Sequence, residues 1–242
     1  MTASETIALV RSACGGKAVI ICDHATNFMP ERYGNLGLDA VRLNEHIAWD
    51  PGAIEVASHM SARLEAPVVA AGLSRLVIDM NRPEGAAGSI VAVSDGVAVP
   101  GNQNLSDADR RQRFEDHHIP YHQGIEDLLN RRAGLPTAVI ALHSYTPVHS
   151  GRTRPWDIGI LHNGDTALAG PLLKELSARP GLVVGENEPY SPADDVYYTL
   201  QRHAVSRGLA HVMIEIRNDR IATPEGQRDW GNLLADILSP VL

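Results

Sequence analysis

Cysteine is scarce in this chain of 242 residues, where only Cys14 and Cys22 carry thiols. Two cysteines so close together cannot staple a protein of this length, and no CxxC pair is present to build a structural metal knot. A disulfide-rich secreted scaffold is thereby excluded, and a reducing, cytoplasmic setting is expected. Long apolar runs are missing as well. No stretch approaches the ~20 apolar residues of a membrane-spanning helix, and the opening MTASETIALVRSACGG has neither the basic start nor the sustained apolar run of an export leader. Positive charge is in deficit, with 21 Lys and Arg against 29 Asp and Glu and a formal net charge of -8. A field of that sign does not attract phosphate backbones or anionic lipid, so neither nucleic acid nor membrane is an expected partner. Repeats, low-complexity tracts and linker-like stretches are also absent.

What remains is the composition of an ordinary globular protein, 44% hydrophobic and 21% charged, with 21 Gly and 15 Pro spread along it. Short β-branched and apolar runs alternate with longer amphipathic ones. KAVIIC (17–22), APVVAAG (66–72), SRLVIDM (74–80), TAVIALH (137–143), WDIGILH (156–162), GLVVGE (181–186) and HVMIEIR (211–217) read as strands. Several are apolar on both faces, which requires helices on both sides of the sheet. Residues 52–64, 106–132, 166–178, 193–207 and 224–238 carry apolar residues at helical spacing. Ser106 with Asp109 forms a capping signal, and Pro120 should break or kink the segment that follows. The alternation predicts a three-layer α/β/α sandwich, taken as one domain over residues 1–242. The small, Gly-rich stretch 83–105 reads as a long irregular excursion near the site.

In open α/β sheets ligands bind beyond the carboxyl ends of the strands, so polar residues that follow apolar runs are the first candidates. Asp23 and His24 follow KAVIIC, His143 and Ser144 end TAVIAL, and Glu215 follows HVMI. Two histidines and a carboxylate are a ligand and base set suited to zinc-assisted hydrolysis. Each also has a plainer reading: a lone strand-end histidine is commonly structural, and Glu215 could face solvent. Asp50 precedes Pro51 and could cap a helix or bind metal. His46 lies four residues before it and could share a helical face with it or pack on Trp49. His117, His118 and His122 flank Pro120, and a solvated or supporting role is expected for them.

The phrases DHATNFMP, HIAWDPGA, SRLVIDMNRP, PYH, ALHS and IEIRND, in that order, resemble the motifs of the N-formylglutamate amidohydrolase family from about Lys17 to the C-terminal helix. The resemblance implies the zinc carboxypeptidase-like sandwich, a mixed and largely parallel sheet of about eight strands. It also implies one divalent ion, zinc, with His24 and His143 as metal histidines and Glu215 as the glutamate that works on water. Asn81 and Arg82 are similar to the pair with which carboxypeptidase-like enzymes hold a substrate carboxylate. The sequence departs from the wider pattern at Asn27, where those enzymes carry a glutamate ligand. Asp50, Asn27 or water could take that place. Ala141 stands where many relatives have an acid that orients the second histidine.

The expected activity is therefore metal-dependent cleavage of a linear amide, N-formyl or another small N-acyl group, from an acidic amino acid such as glutamate. His24, Asp50 and His143 are the expected ligands, Glu215 the base, and Arg75, Asn81 and Arg82 the substrate-binding group. The alternative from another class is a catalytically reduced relative that binds a small carboxylated metabolite. A serine hydrolase through Ser144 or Ser74 is disfavoured because no GxSxG elbow occurs.

Overall fold

The computed structural model describes residues 7–11, as backbone, and 15–242. Its centre is a seven-stranded sheet built from β1 (Ile7–Arg11), β2 (Ala18–Cys22), β3 (Val68–Ala71), β4 (Ala138–Tyr145), β5 (Ile158–Leu161), β6 (Val184–Glu186) and β7 (His211–Arg217). The spatial order is β1-β3-β2-β4-β7-β5-β6. β3, β2, β4 and β7 run parallel, β5 pairs antiparallel with β7, and β1 is an antiparallel edge. The expected mixed, largely parallel sandwich is what forms, with seven strands among the described residues where about eight were expected.

Strand alternation divides the core into two layers. Ile20, Val68, Ile140, Leu142, Ile160, Ile214 and Ile216 face α2 (Ala53–Leu64), α5 (Ala169–Ser177) and α7 (Pro224–Leu238). Val19, Ile21, Val69, Val139, Ala141 and Met213 face α4 (Ile119–Arg131) and α6 (Tyr198–His203). The period of two places odd and even residues of one strand on opposite faces. This is why His143 and Glu215, in step with Ala141 and Met213, share the α4 face. Among the described residues no helix is long and apolar enough to cross a membrane.

Two expectations need correction. SRLVIDM is not a strand: residues 74–80 form a buried, turn-rich connection, and Leu76, Val77, Ile78 and Met80 are apolar because they pack into the core layer on one face of the sheet. Its carbonyls are met by side chains instead of a neighbouring strand, Leu76 O by Asn102, Val77 O by Arg113 and Met80 O by His122. The second correction concerns the long helix at 106–132. It divides into α3 (Asp107–Arg113), a π-helical turn at Phe114–His118 and α4, with Pro120 in the first turn of α4 where its missing N–H costs little. Ser106 and Asp109 form the expected capping box. Strand β1 was not anticipated; its pairing with β3, not its own pattern, makes it a strand. Cys22 is buried and free, and Cys14 lies outside the described residues.

Helices α2 and α7 cross at a close contact that Gly231 permits. A Cβ there would sit 2.5 Å from His59 Cβ and 3.0 Å from Val56 O. Alanine normally stabilises a helix interior by about 1 kcal/mol over glycine, whereas overpacking costs about 1–3 kcal/mol. Gly231→Ala should therefore lower stability despite its better helix propensity. Chemical denaturation would read the sign, and a gain would show that the two helices part freely.

Candidate active site

The site lies at the carboxyl ends of β2, β4 and β7, where the chain has turned from β2 toward β3 on one side and β4 lies on the other. This is the switch point at which open sheets leave a crevice. His24 follows β2, His143 lies in β4 two residues before its end at Tyr145, and Glu215 stands beside His143 in the parallel β4–β7 register. Asp50 comes from the turn before α2. It does not cap that helix, whose N-cap is Gly52; its carboxylate turns inward.

The geometry centres on Asp50. Its Oδ2 receives His143 Nδ1 at 2.8 Å and His24 Nδ1 at 3.3 Å, and the Ser144 amide donates to the same oxygen at 3.3 Å. One atom from each of His24, Asp50 and His143 lies within 4.8 Å of the others, and all three residues are buried. The far nitrogen of each imidazole faces another carboxylate. His24 Nε2 meets Asp79 Oδ1 at 2.8 Å, and His143 Nε2 lies 3.3 Å from Asp23 Oδ2. That last contact is an ion pair short of hydrogen-bond geometry, and both atoms have no other partner. Asp23 Oδ1 in turn accepts from the Tyr121 and Thr199 hydroxyls at 2.9 and 3.0 Å. Asp23 therefore stands where the Ala141 departure called for an orienting acid. Asn27 is turned away, its amide donating to Leu43 O and Asn44 Oδ1.

Charge balance sets the protonation of this cluster. Burial alone would neutralise the groups, yet Asp50 stays far below the ordinary carboxylate range because both imidazoles face it. Asp23 and Asp79 are likewise lowered against burial, by His143 and by His24 with Arg75 respectively. The same contacts raise His24 and, more strongly, His143. Glu215 behaves oppositely. Burial, with the Asp50 charge adding to it, lifts its carboxyl to about 7 against the pull of His143. It is 5% exposed, so it does not face bulk solvent, but it borders the cavity.

That cavity, about 80 Å³, is lined by His24, Asp50, His143, Glu215, Arg82 and Tyr190 among others. Of the three residues expected to bind substrate, two have their polar groups engaged inside the protein. Arg75 pairs with Asp79 at 2.7 Å and Asp50 at 3.4 Å in a mostly buried bridge. Asn81 donates to Val196 O and accepts from Thr199 N. Arg82 donates one bond to Asn81 O, and no carboxylate pairs with it among the described residues. Ser144 and Ser74 donate their hydroxyls to Pro51 O and Ala48 O, so neither is poised as a nucleophile.

This chain matches the N-formylglutamate amidohydrolase family over residues 16–222. It belongs to that family. Among solved structures it is similar to gene product Atu2144 from Agrobacterium tumefaciens, at 37% identity and a TM-score of 0.95, covering 99% of this chain and 95% of that one. It is also similar in fold to N-formylglutamate amidohydrolase from Ralstonia eutropha JMP134, at 20% identity and a TM-score of 0.66, covering 98% of each chain. No curated protein matches it significantly.

Sequence reasoning missed part of this amidohydrolase-family site. Asp79 sat inside a supposed strand, where nothing marked it as the carboxylate behind His24. Tyr190 gave no signal. It reaches the cavity because the Glu188–Tyr190 segment crosses β5 at Gly159, where a Cβ would lie 1.9 Å from Glu188 O. His117, His118 and His122 are buried, not solvated, because the π-helical turn and α4 face them inward. His122 holds Met80 O and His118 holds Arg82 O, both at 2.9 Å, so they support the loop that carries Asn81 and Arg82.

Burial, reinforced by neighbouring cations, lowers His118 and His203 to about 4 and His122 to about 2. Above the unfolded value of about 6.5 both folded and unfolded forms are neutral and their contribution to stability is complete. Below it the unfolded chain takes up protons that the folded chain refuses, so stability is lost as pH falls toward the folded values. Each histidine approaches about 1.4 kcal/mol per pH unit. His24 and His143, raised on folding, contribute a constant amount in that window and do not mask the trend. Glu215 takes up a proton on folding there and offsets part of it. His203→Gln should therefore flatten the fall in denaturation free energy between about pH 6.5 and 4.5 by close to one proton; an unchanged slope would mean His203 titrates normally.

Proposed function

We propose that this protein hydrolyses the linear amide of a small N-acylated acidic amino acid, with N-formylglutamate the substrate its family name suggests, in the cytoplasm. The observation that carries this reading is the convergence of His24 Nδ1 and His143 Nδ1 on one Asp50 oxygen, 3.3 and 2.8 Å away. Ligand atoms on a tetrahedral zinc with bonds of about 2.0–2.1 Å lie about 3.3 Å apart, so this donor set fits a divalent ion, zinc. Carboxylates behind both imidazoles are the usual support for metal-binding histidines. Held by His24, Asp50 and His143, such an ion would polarise the acyl carbonyl and acidify water.

The chain's own groups do the rest. Glu215, held at about 7, is close to half ionised at neutral pH and can both accept and return a proton. It takes a proton from the attacking water as the oxygen adds to the acyl carbon. It then delivers that proton to the amide nitrogen as the C–N bond breaks, releasing a small acid and the free amino acid. Arg82, free of carboxylate partners, receives the substrate carboxylate, while Arg75 and Asn81 hold the wall around it. A carboxyl bordering the same cavity as the three candidate ligands, and not committed to an ion pair among the described residues, favours the enzyme over the binding-only alternative.

Three measurements test this. Wild-type protein purified without added metal should hold a stoichiometric transition metal that His143→Ala loses while remaining folded; retention of full activity in chelator would remove the metal from the mechanism. Glu215→Gln should keep the metal and lose about 10²- to 10⁴-fold in kcat, the usual contribution of a positioned acid–base group. Arg82→Ala should raise KM for an N-acyl glutamate far more than for its α-amide, because only the acid loses a charge-assisted pair worth about 1.5–3 kcal/mol. Equal losses would make Arg82 structural.

A further inference from the structure

A second group of two imidazoles and a carboxylate lies at the mouth of the same crevice. His46, Asp95 and His149 each place one ligand atom within 4.8 Å of the others. They come from three separate segments: the turn before α2, the tip of the hairpin Val93–Ser94/Val97–Ala98, and the hairpin Val148–His149/Arg152–Thr153. Together they line a cavity of about 180 Å³. Its wall also includes Arg75, Arg82 and Tyr190, which border the inner cavity. The two cavities are therefore neighbours that share a wall of side chains.

The cluster is built, not incidental. Asp95 and Gly96 have φ of 44° and 78°, the left-handed pair required by a two-residue type I′ hairpin. Ser150 and Gly151 repeat that geometry at 49° and 75° in the second hairpin. The Ser150 amide donates to Asp95 Oδ1 at 3.1 Å and locks one tight turn onto the other. Asp95 Oδ2 then faces His46 Nε2 at 3.1 Å, and Asp95 Oδ1 faces His149 Nδ1 at 3.4 Å. The two imidazoles face different oxygens of the one carboxylate, and one ligand atom from each residue still lies within 4.8 Å of the others, close enough to meet on a single ion. The side chains are 28%, 19% and 44% exposed for His46, Asp95 and His149, so an ion can reach them from solvent. The hydrolytic mechanism uses none of the three, and Asp95 and His149 lie outside the family motifs, while His46 opens the phrase HIAWDPGA.

We propose that His46, Asp95 and His149 form a second binding site for a divalent transition metal, zinc-type in its preference, which clasps the two hairpins over the entrance to the active site. Three protein ligands leave a coordination position open toward the cavity. The clasp stands whether or not the inner histidines bind an ion, and its test separates the two.

Chelator-treated full-length protein should be titrated with zinc alone, with stoichiometry read by a competing metal indicator and hydrogen exchange followed over residues 93–98 and 148–153. Wild type should take up one equivalent more than Asp95→Asn and one more than His149→Ala. Asparagine tolerates the left-handed turn, so the hairpin is kept while the charge is removed. Zinc should slow exchange in both hairpins of the wild type and in neither hairpin of Asp95→Asn. The His24→Ala/His143→Ala double variant should still bind one equivalent, and adding Asp95→Asn should abolish it. Equal zinc uptake by wild type, Asp95→Asn and His149→Ala overturns the site, whatever the inner set does. An extra equivalent that leaves both hairpins exchanging at the metal-free rate overturns the clasp.

Discussion

Everything at the crevice depends on keeping the carboxylate of Asp50 ionised without water. Its 3% exposure leaves no solvent to stabilise the charge, so His24, His143, Arg75 and the Ser144 amide must supply the field. Removing one partner of such a buried pair costs about 3–5 kcal/mol, because the remaining charge is stranded. That cost explains the surrounding order. Asp79 and Asp23 are drawn in to balance and orient the imidazoles, and Tyr121 and Thr199 are committed to holding Asp23.

The sheet makes the cluster possible by simple periodicity. Parallel register sets Glu215 beside His143, and the alternation that buries Met213 and Ala141 on the α4 face aims both reactive groups into one crevice. Glu215 differs from the aspartates because, among the described residues, no guanidinium or imidazole pairs with it. Burial then dominates, and its carboxyl titrates near neutrality while those of Asp23, Asp50 and Asp79 remain ionised. Carboxylates of one site are thus divided into three held ionised and one whose charge is disfavoured by burial.

The opposite wall is irregular, and its rigidity comes from side chains that replace missing strand partners. Asn102, Arg113, His122 and His118 meet the carbonyls of residues 76, 77, 80 and 82, so the loop carrying Asp79, Asn81 and Arg82 is fastened nearly as firmly as a strand. The paired type I′ hairpins extend this wall outward to the crevice mouth.

Much of this was legible in the amino-acid order. Apolar runs of the right period announced β2, β4 and β7, and the polar residues at their ends announced His24, His143 and Glu215, because local hydrophobic pattern and strand-end position are properties of consecutive residues. Helix α7 was legible to the residue for the same reason. Residues 74–80 were not, since an apolar run reads alike whether a sheet or a loop encloses it. Nor could consecutive residues reveal whether Asp50 capped a helix or faced two imidazoles, or that Asp79 and Asp23 would stand behind those rings. Hydrogen bonds and charge compensation link groups 26, 55 and 93 positions apart. Their energies depend on distance and burial, which only the folded chain determines.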